Sequence, residues 1–157
     1  MTKEEFAGRV LEIKDTLYRL SATLLKRECD REDAVSEAVA RGLARLGSLR
    51  REEAFEAWMA RILINACYTQ LRRSSREIPV EALPEVLAAP EASANLYSLF
   101  WGVDEKYRLP MVLYYVEGYE VAQVSRILRR PVGTVKSQLM RGRKLLKDHL
   151  ALEEVLS

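Results

Sequence analysis

Cations without compensating carboxylates fill one segment near the end of the chain. Between Arg126 and Lys147 there are eight Lys and Arg residues and neither Asp nor Glu, although the net charge of the whole chain is only +2. Exposed helices usually mix both signs, whereas a surface that neutralises DNA phosphates needs clustered Lys and Arg. The segment therefore predicts a phosphate-facing surface. Its cations are Arg126, Arg129, Arg130, Lys136, Arg141, Arg143, Lys144 and Lys147.

The sequence offers little for catalysis or metal binding. Its two cysteines, Cys29 and Cys67, are far apart and its one histidine is His149, so a zinc site of the Cys-x-x-Cys type cannot be assembled. No nucleophile–base pair or phosphate loop is visible either. We therefore expect no enzymatic activity, no catalytic residue, no metal and no cofactor.

Two further features bear on where the protein works. The N-terminus lacks the apolar core of a signal peptide, so we expect a cytoplasmic, reducing setting in which a Cys29–Cys67 disulfide is disfavoured. The apolar runs are also too short to cross a bilayer, which takes about 20 residues. We therefore expect no membrane insertion.

The elements that must position the cations are helices. The chain has 157 residues, of which 48% are hydrophobic, enough for one ordinary domain or two small ones. Apolar residues recur every three or four positions, which predicts helices over about Val10–Lys26 and over Phe55–Arg73. Between them a second helix is predicted to begin at Asp30 as its N-cap, with Asp33 in the first turn. No alternating strand pattern of useful length appears.

Residues 76–94 are predicted to form a linker. Pro79, Pro84 and Pro90 punctuate the stretch, and from Glu77 onward its charges are all acidic. A solvated tether is the favoured interpretation. A segment that lies along a basic channel of a partner is the alternative.

The second half of the chain predicts a helix-turn-helix. Pro110 is expected at the first position of a helix that Gly118 ends. A short helix over Val121–Leu128 follows, Pro131 interrupts it, and the final helix spans Val135–Leu150. A short helix, a tight break and a longer helix are the layout of a helix-turn-helix.

We therefore predict an all-α fold of two small helical bundles. The first domain is expected over residues 1–75, the linker over 76–94 and the helix-turn-helix domain over 95–157. On the final helix, three- and four-residue spacing turns one set of residues inward and another outward. The inward set is Val135, Leu139, Gly142 and Leu146, and the outward set is Lys136, Ser137, Met140, Arg141 and Lys144.

The run PVGTVKSQLMRGRKLL, from Pro131 to Leu146, closely resembles the promoter-recognition helix of extracytoplasmic-function (ECF) sigma factors of bacterial RNA polymerase. DEKYRLPMVLYYVEGY, Asp104–Tyr119, is similar to the start of the fourth conserved region of that family. DREDAVSEAVARGLARL, Asp30–Leu46, and AFEAWMARILINACYTQLRR, Ala54–Arg73, are similar to its second region. The matches follow the order of the family and are separated by a short middle segment, as in the family.

The resemblance implies an initiation subunit rather than an enzyme. In this family the second region binds a coiled coil on the largest polymerase subunit and opens the minus-ten promoter element. The fourth region binds the minus-thirty-five element and the polymerase flap. The implied partners are therefore core RNA polymerase and promoter DNA, and the family also leads us to expect an anti-sigma factor.

The family also implies roles for individual residues. Those at polymerase-contacting positions are Asp33, Val35, Glu37, Ala38 and Arg41. Those at positions that bind the minus-ten element are Leu49, Arg50, Arg51, Asn65, Arg72 and Arg73. Those at positions that bind the minus-thirty-five element are Arg130, Thr134, Lys136, Ser137, Gln138, Met140, Arg141, Arg143 and Lys144.

Some residues depart from the family pattern. Leu49 stands where an aromatic residue is frequent, so it can pack on a base but cannot stack on one. Gln138 replaces a frequent arginine, which removes a phosphate contact or exchanges a guanine preference for an adenine one. Arg129 stands where glycine is usual; a retained left-handed conformation there costs about 1 kcal/mol. Trp58 matches a core tryptophan and is expected to pack rather than to stack on a base.

Three rival hypotheses remain. In a stand-alone helix-turn-helix regulator, the N-terminal bundle would sense a signal or dimerise. The segment Asp30–Arg73 disfavours this regulator, because a regulator does not need an acidic polymerase-facing helix followed by a helix that ends in paired arginines. An enzyme and a helical adaptor that never touches DNA are the other two.

Overall fold

A computed structural model describes residues 1–74 and 98–156 of the chain. The chain divides into two compact units, and the described residues of each are treated separately below. The fold is all-α, as the sequence predicts, with no strand among the described residues. The predicted linker, residues 76–94, lies outside them, so the predicted domain boundaries stay predictions.

The first unit consists of three helices that pack against one another: α1 (Lys3–Leu24), α2 (Glu28–Ala44) and α3 (Phe55–Ser74). Two short 3-10 turns, Leu46–Ser48 and Glu52–Ala54, connect α2 to α3.

Helix α1 begins well before the predicted Val10. Its N-cap is Thr2, whose hydroxyl accepts a hydrogen bond from the amide of Glu5 at 3.1 Å, while the Glu5 carboxylate accepts one from the amide of Thr2 at 2.7 Å. This reciprocal capping box satisfies two amides that the first helical turn leaves without partners. The helix ends at Leu24, two residues before the predicted Lys26.

A buried arginine joins α1 to α2. Arg31 is only 1% exposed, and its Nε and Nη2 donate to the carbonyl oxygens of Leu25 and Lys26 at 2.9 and 3.1 Å. These carbonyls follow the last turn of α1 and have no intrahelical partner. A buried charge is tolerated where hydrogen bonds compensate its lost hydration, so Arg31 fixes the reversal between the two helices.

Asp30 does not cap α2, contrary to our prediction. The helix begins at Glu28, and Asp30 lies within its first turn, where its carboxylate accepts from Arg27 Nε at 3.0 Å. Tyr18, on α1, donates a hydrogen bond from its hydroxyl to the Glu28 carboxylate at 3.1 Å. Burial raises the pKa of Tyr18, so this phenol stays a protonated donor. The tertiary contact and the favourable field of carboxylates at a helix N-terminus explain the earlier start.

Aromatic rings and one glycine build the core of the first unit. Phe55 and Phe6 are buried and meet edge to face, with ring centroids 5.8 Å apart. A Cβ on Gly42 would lie 2.7 Å from the Met59 sulfur and 3.2 Å from the Phe6 ring, so a larger residue would force these side chains to move. Trp58 is half-buried with its ring centroid 6.1 Å from that of Phe55, as expected for a packing role.

The second unit contains a helical turn at 98–100, α4 (Glu105–Met111), a π-helical turn (Val112–Val116), α5 (Val121–Leu128) and α6 (Val132–Leu156). Helix α6 packs against both α4 and α5. It extends further at both ends than the predicted Val135–Leu150, and the short helix α5 has the predicted bounds. Gly118 follows the π-helical turn with φ +77°, which fits its predicted role in ending that helix.

Pro110 lies inside α4 and not at its first position, so that prediction was wrong. The helix is instead capped by Asp104, whose carboxylate accepts from the amide of Lys106 at 3.0 Å. Because Pro110 has no N–H, the carbonyl of Lys106 one turn earlier loses its helical donor. Arg130 Nη1 donates to that carbonyl at 3.1 Å, which ties the helix-turn-helix break to α4.

A second buried arginine closes the start of α4. Arg108 is 6% exposed, and its Nη1 donates to the carbonyl of Val103 at 2.9 Å. Its guanidinium lies 3.8 Å from the centroid of the Trp101 ring, a cation–π arrangement. Both contacts hold the segment before α4 against the helix itself.

Two glycines let α6 approach its neighbours closely. A Cβ on Gly142 would collide with the Met111 sulfur of α4, and a Cβ on Gly102 would fall on the imidazole of His149. Either substitution would force these side chains to move. The glycines therefore fix α6 against the second unit at two positions along its length.

Arg129 occupies the left-handed region, with φ 52° and ψ 47°. The amide of Arg130 bonds the carbonyl of Ser125 at 3.1 Å, and the Ser125 hydroxyl donates to the carbonyl of Arg130 at 2.6 Å. This closing pattern is the Schellman motif, which favours glycine at the left-handed position. The strained conformation anticipated from the sequence is therefore retained by an arginine.

We expect Arg31→Met to lower the free energy of unfolding of the first unit by about 3 kcal/mol, because two charge-assisted hydrogen bonds are lost and two carbonyls are left unpaired. Hydrogen exchange of α1 and α2 peptides measures the change. The control is Arg27→Met, which removes an exposed pair and should cost about 1 kcal/mol at most. Equal losses in the two variants would contradict the role given to Arg31.

Arg129→Gly should stabilise the second unit by about 1 kcal/mol, because glycine adopts the left-handed conformation without the Cβ clash. Exchange protection of amides in α5 and α6 reports it. Ala122→Gly, at an exposed right-handed position of α5, should destabilise the unit by about the same amount. Stabilisation by both substitutions, or by neither, would show that backbone strain at Arg129 is not the cause.

Candidate nucleic-acid interface

The outward face of α6 is basic and exposed, as the sequence predicts. Val135, Leu139 and Gly142 are buried, and Leu146 is half-buried. Residues of the opposite face are exposed: Thr134, Lys136, Ser137, Met140, Arg141, Arg143 and Lys144. Met140 is 63% exposed and adds an apolar group to this face. The face thus combines donors, cations and one apolar contact group without a carboxylate, a composition suited to DNA.

Arg141 is a predicted base-reading cation whose side chain is available. No hydrogen bond or ion pair joins its guanidinium to any described residue. Ser137, one turn earlier on the same face, donates its hydroxyl proton to the carbonyl of Gly133 at 3.0 Å. The Ser137 oxygen therefore remains as an acceptor, beside an arginine that can only donate.

Gln138 differs from its predicted role in reading a base. It is only 6% exposed, and its Oε1 accepts a hydrogen bond from Arg130 Nη1 at 3.0 Å. Adenine is recognised through a donor and an acceptor of the same amide, and the acceptor is already engaged. The expected exchange of a guanine for an adenine preference is therefore not supported by this geometry.

Arg130 is likewise only partly available to a phosphate. Its Nη1 donates both to Gln138 and to the carbonyl of Lys106, and the residue is half-buried. Arg143 is exposed, and its Nη1 donates to the hydroxyl of Tyr115 at 2.6 Å. The hydrogen bond to Tyr115 orients the Arg143 guanidinium but leaves it exposed.

A groove runs beside the N-terminal half of α6. Its volume is about 490 Å³. Its principal lining residues come from α4 and α6: Lys106, Tyr107, Thr134, Ser137, Gln138 and Arg141. Sequence reasoning missed Lys106 and Tyr107, because no local pattern indicates that α4 packs beside the recognition helix.

The residues predicted to bind the minus-ten element fall in two places of the first unit. Asn65 and Arg72 lie on one exposed face of α3, joined through Thr69, whose hydroxyl donates to the Asn65 carbonyl at 3.0 Å and accepts from Arg72 Nη2 at 3.2 Å. Arg73 is exposed beside them. The Asn65 side-chain amide has no hydrogen-bond partner among the described residues.

The other place is the connection between the two 3-10 turns. Leu49 is half-buried, whereas Arg50 and Arg51 are exposed. Arg51 Nε lies 3.9 Å from Glu53 in an exposed pair, which holds it only weakly. Both arginines therefore present exposed guanidinium groups from a short irregular segment.

The predicted polymerase-contacting residues do not share one exposed surface. Asp33 is exposed, and Glu37 is half-buried in a 2.6 Å pair with Arg41. Val35 is half-buried, and Ala38 is fully buried. The methyl group of Ala38 thus serves the core of the first unit and is not presented to a partner, which corrects its assignment as a contact residue.

The cysteines differ in accessibility. Cys29 is exposed in the first turn of α2, whereas Cys67 is buried in α3 and burial raises its pKa to about 12. No group of three or more His, Cys, Asp or Glu residues within the described ranges could hold a metal ion. None of the helices in that part of the chain is long and apolar enough to cross a membrane.

Comparisons with known proteins match both units. Residues 10–77 match the family model described as sigma-70 region 2, and residues 102–146 match the one described as sigma-70, region 4. The chain is 27% identical to the ECF RNA polymerase sigma factor SigW of Bacillus subtilis, over 94% of this chain and 90% of that protein. It is 30% identical to the ECF RNA polymerase sigma factor SigM of Mycobacterium tuberculosis, over 83% of this chain and 69% of that protein.

The fold has a counterpart among solved structures. The sigma factor RpoE in complex with the anti-sigma factor NepR from Bartonella quintana superposes with a TM-score of 0.78 at 20% identity, covering 94% of this chain and 98% of that one.

Iodoacetamide at pH 8 should alkylate Cys29 and leave Cys67 intact. With a pKa of about 12, only about one Cys67 thiol in ten thousand is ionised at that pH, and the thiolate is the reactive form. Peptide mass spectrometry measures the labelling, and both residues should react once the protein is unfolded in urea. Comparable rates in the folded protein would contradict the burial of Cys67.

Proposed function

Because this chain belongs to the ECF group of the sigma-70 family of RNA polymerase sigma factors, we propose that its two units divide promoter recognition between them. The chain is a transcription initiation factor that directs core polymerase to promoters and assists their opening. In our proposal the first unit binds the coiled coil of the largest polymerase subunit and the minus-ten element. The second unit binds the minus-thirty-five element and the flap.

The observation that carries the proposal is the exposed face of α6 between Thr134 and Lys147, which has no carboxylate. Its N-terminal half offers Lys136, Ser137, Met140 and Arg141 to base edges in the major groove, while Arg143 and Lys144 reach phosphates on either side. A good bidentate contact from arginine to guanine contributes about 1–3 kcal/mol of discrimination. If four cations reach phosphates, the slope of log affinity against log salt is about −3.6.

At the minus-ten element, the exposed face of α3 receives an unpaired base. Unstacking a base costs a few kcal/mol, which protein contacts must offset. The unengaged amide of Asn65 supplies a donor and an acceptor to the base edge, and Leu49 packs against the base without stacking on it. Arg50, Arg51, Arg72 and Arg73 neutralise the backbone of the displaced strand.

Asp33 is the principal polymerase contact of α2 in this proposal. The charge of Glu37 is largely compensated by Arg41, whereas Asp33 has no hydrogen-bonding or ionic partner among the described residues. An exposed, uncompensated carboxylate complements a basic partner surface and raises the rate of association. Val35 adds an apolar edge beside it.

An anti-sigma factor is a further proposed partner. The similar Bartonella quintana sigma factor was solved in complex with one. The stand-alone regulator is not favoured, because both family-model matches and the curated relatives are of sigma factors.

Run-off transcription with purified core polymerase on a promoter library tests the function. We expect the chain to bind core polymerase and to start transcription from a subset of promoters that share minus-thirty-five and minus-ten sequences. Failure to bind core polymerase, together with no initiation from any promoter, would reject the proposal. Specific binding of duplex DNA by the chain alone, without core polymerase, would favour a stand-alone regulator.

Arg141→Ala should reduce the preference for the best minus-thirty-five sequence about tenfold, because one bidentate base contact is lost. Core binding should be unchanged. Asp33→Asn is the reciprocal control, since it should weaken core binding and leave the sequence preference intact. Promoter selection from the library and core titration measure the two effects, and an unchanged preference in Arg141→Ala would remove this residue from the reading set.

A further inference from the structure

We propose that the groove between α4 and the N-terminal half of α6 holds a backbone phosphate of promoter DNA, with Lys106 Nζ and Gln138 Nε2 as its donors. The inference rests on the proposed function and extends the DNA contact from the recognition helix to α4. It gives Lys106, which no sequence pattern singles out, a part in promoter binding.

The amide group of Gln138 supplies one of the two donors. Arginine only donates hydrogen bonds, so the amide atom that meets Arg130 Nη1 at 3.0 Å must be the oxygen. The other amide atom is therefore Nε2, which carries two N–H donors. Gln138 is only 6% exposed and lines the groove, and no described residue accepts from its Nε2. This N–H₂ group therefore keeps its capacity to donate to an occupant of the groove.

The ammonium group of Lys106 is the second donor. Its side chain is exposed and lines the same groove, where its only described contact is the Tyr107 ring, 5.5 Å from Nζ to the ring centroid. That distance is near the limit of a cation–π contact, so the ammonium keeps its capacity to bind an anion. No Asp or Glu is among the residues that line the groove.

Hydrogen bonds of Arg130 connect the Gln138 amide to the backbone of α4. Pro110 leaves the Lys106 carbonyl without its helical donor, Arg130 supplies one at 3.1 Å, and the same Arg130 nitrogen orients Gln138. The Gln138 amide and the backbone of α4 at Lys106 are thus joined through one guanidinium, whereas the Lys106 ammonium extends from an exposed side chain. A donor that is already positioned, as the Gln138 amide is, loses less conformational entropy when it binds.

A phosphate group fits these two donors better than a base edge does. A base edge is read by the oxygen and the nitrogen of one amide together, and Arg130 already engages the Gln138 oxygen. A phosphodiester only accepts, which matches a lysine and an amide N–H₂. The start of α6 at Val132 adds the partial positive charge of a 25-residue helix. The contact therefore adds affinity but no sequence information.

Salt titration of promoter binding by the reconstituted holoenzyme tests the proposal. Lys106→Ala should make the slope of log affinity against log salt less steep by about 0.9, the value for one phosphate contact. The loss should be the same for strong and weak minus-thirty-five sequences. Lys14→Ala, at an exposed position of α1, is the matched control and should leave the slope unchanged.

Gln138→Glu provides a second, isosteric variant. The carboxylate keeps an acceptor for Arg130, so the fold should be preserved, but it replaces the N–H₂ donors with an oxygen that repels a phosphate. We expect promoter binding to weaken about tenfold at low salt. Unchanged binding by this variant would overturn the role of Gln138.

Other results would also overturn the inference. An unchanged slope in Lys106→Ala, or a loss restricted to one minus-thirty-five sequence, would exclude a backbone contact. A third outcome combines three results: inorganic phosphate binds the chain alone, Lys106→Ala abolishes that binding, and the slope of log DNA affinity against log salt is unchanged in this variant. The groove would then bind free phosphate and not DNA. In each case holoenzyme formation and the Arg141→Ala effect stay intact if the proposed function is right, whereas their loss would reject that function itself.

Discussion

Both units depend on arginines that pair with carbonyl groups where helices end or are interrupted. A backbone carbonyl removed from water needs a donor. Arg31 supplies it after α1, Arg108 before α4, and Arg130 beside Pro110. Small helical units bury a limited apolar area, so the geometry of these reversals matters as much as the core. The positions of α2 and α6 follow from them.

The same residue type therefore has two physical roles in this chain. Arg31 and Arg108 are buried and structural, whereas Arg141 and Arg143 are exposed on α6. Arg130 combines both roles, because it belongs to the basic segment and also bonds Lys106 and Gln138. The near-neutral total charge conceals this division, which concentrates unpaired positive charge on one face of one helix. Such a field attracts nucleic acid at long range, while sequence is read by the few side chains that meet base edges.

Apolar periodicity predicted the type of every major helix, because burial of one face determines which residues can follow one another. For the same reason it predicted the inward Val135 and Leu139 and the exposed Arg141 correctly. The family pattern also anticipated the left-handed Arg129, since its neighbours close a turn that requires that conformation. The linker and the individual binding roles remain predictions.

The predictions from sequence were wrong where tertiary contacts override local signals. Asp30 has the type of a good cap, but the hydrogen bond from Tyr18 to Glu28 favours a helix that begins earlier. Pro110 looks like a first helical residue, yet an arginine distant in sequence compensates its missing N–H. The burial of Gln138 and Ala38 likewise depends on neighbouring helices.

The two close approaches at Gly142 and Gly102 have a consequence for recognition. Met111 packs at Gly142, and His149 packs at Gly102 seven residues further along α6, about 10 Å along the helix axis. A helix that packs at a single position can change its tilt, whereas contacts at two separated positions restrict that tilt. The recognition helix therefore keeps one inclination relative to α4 before any DNA arrives. A shift of half an ångström at either attachment would tilt the helix, displace Lys136 by roughly 0.4–0.9 Å and misalign every base contact together.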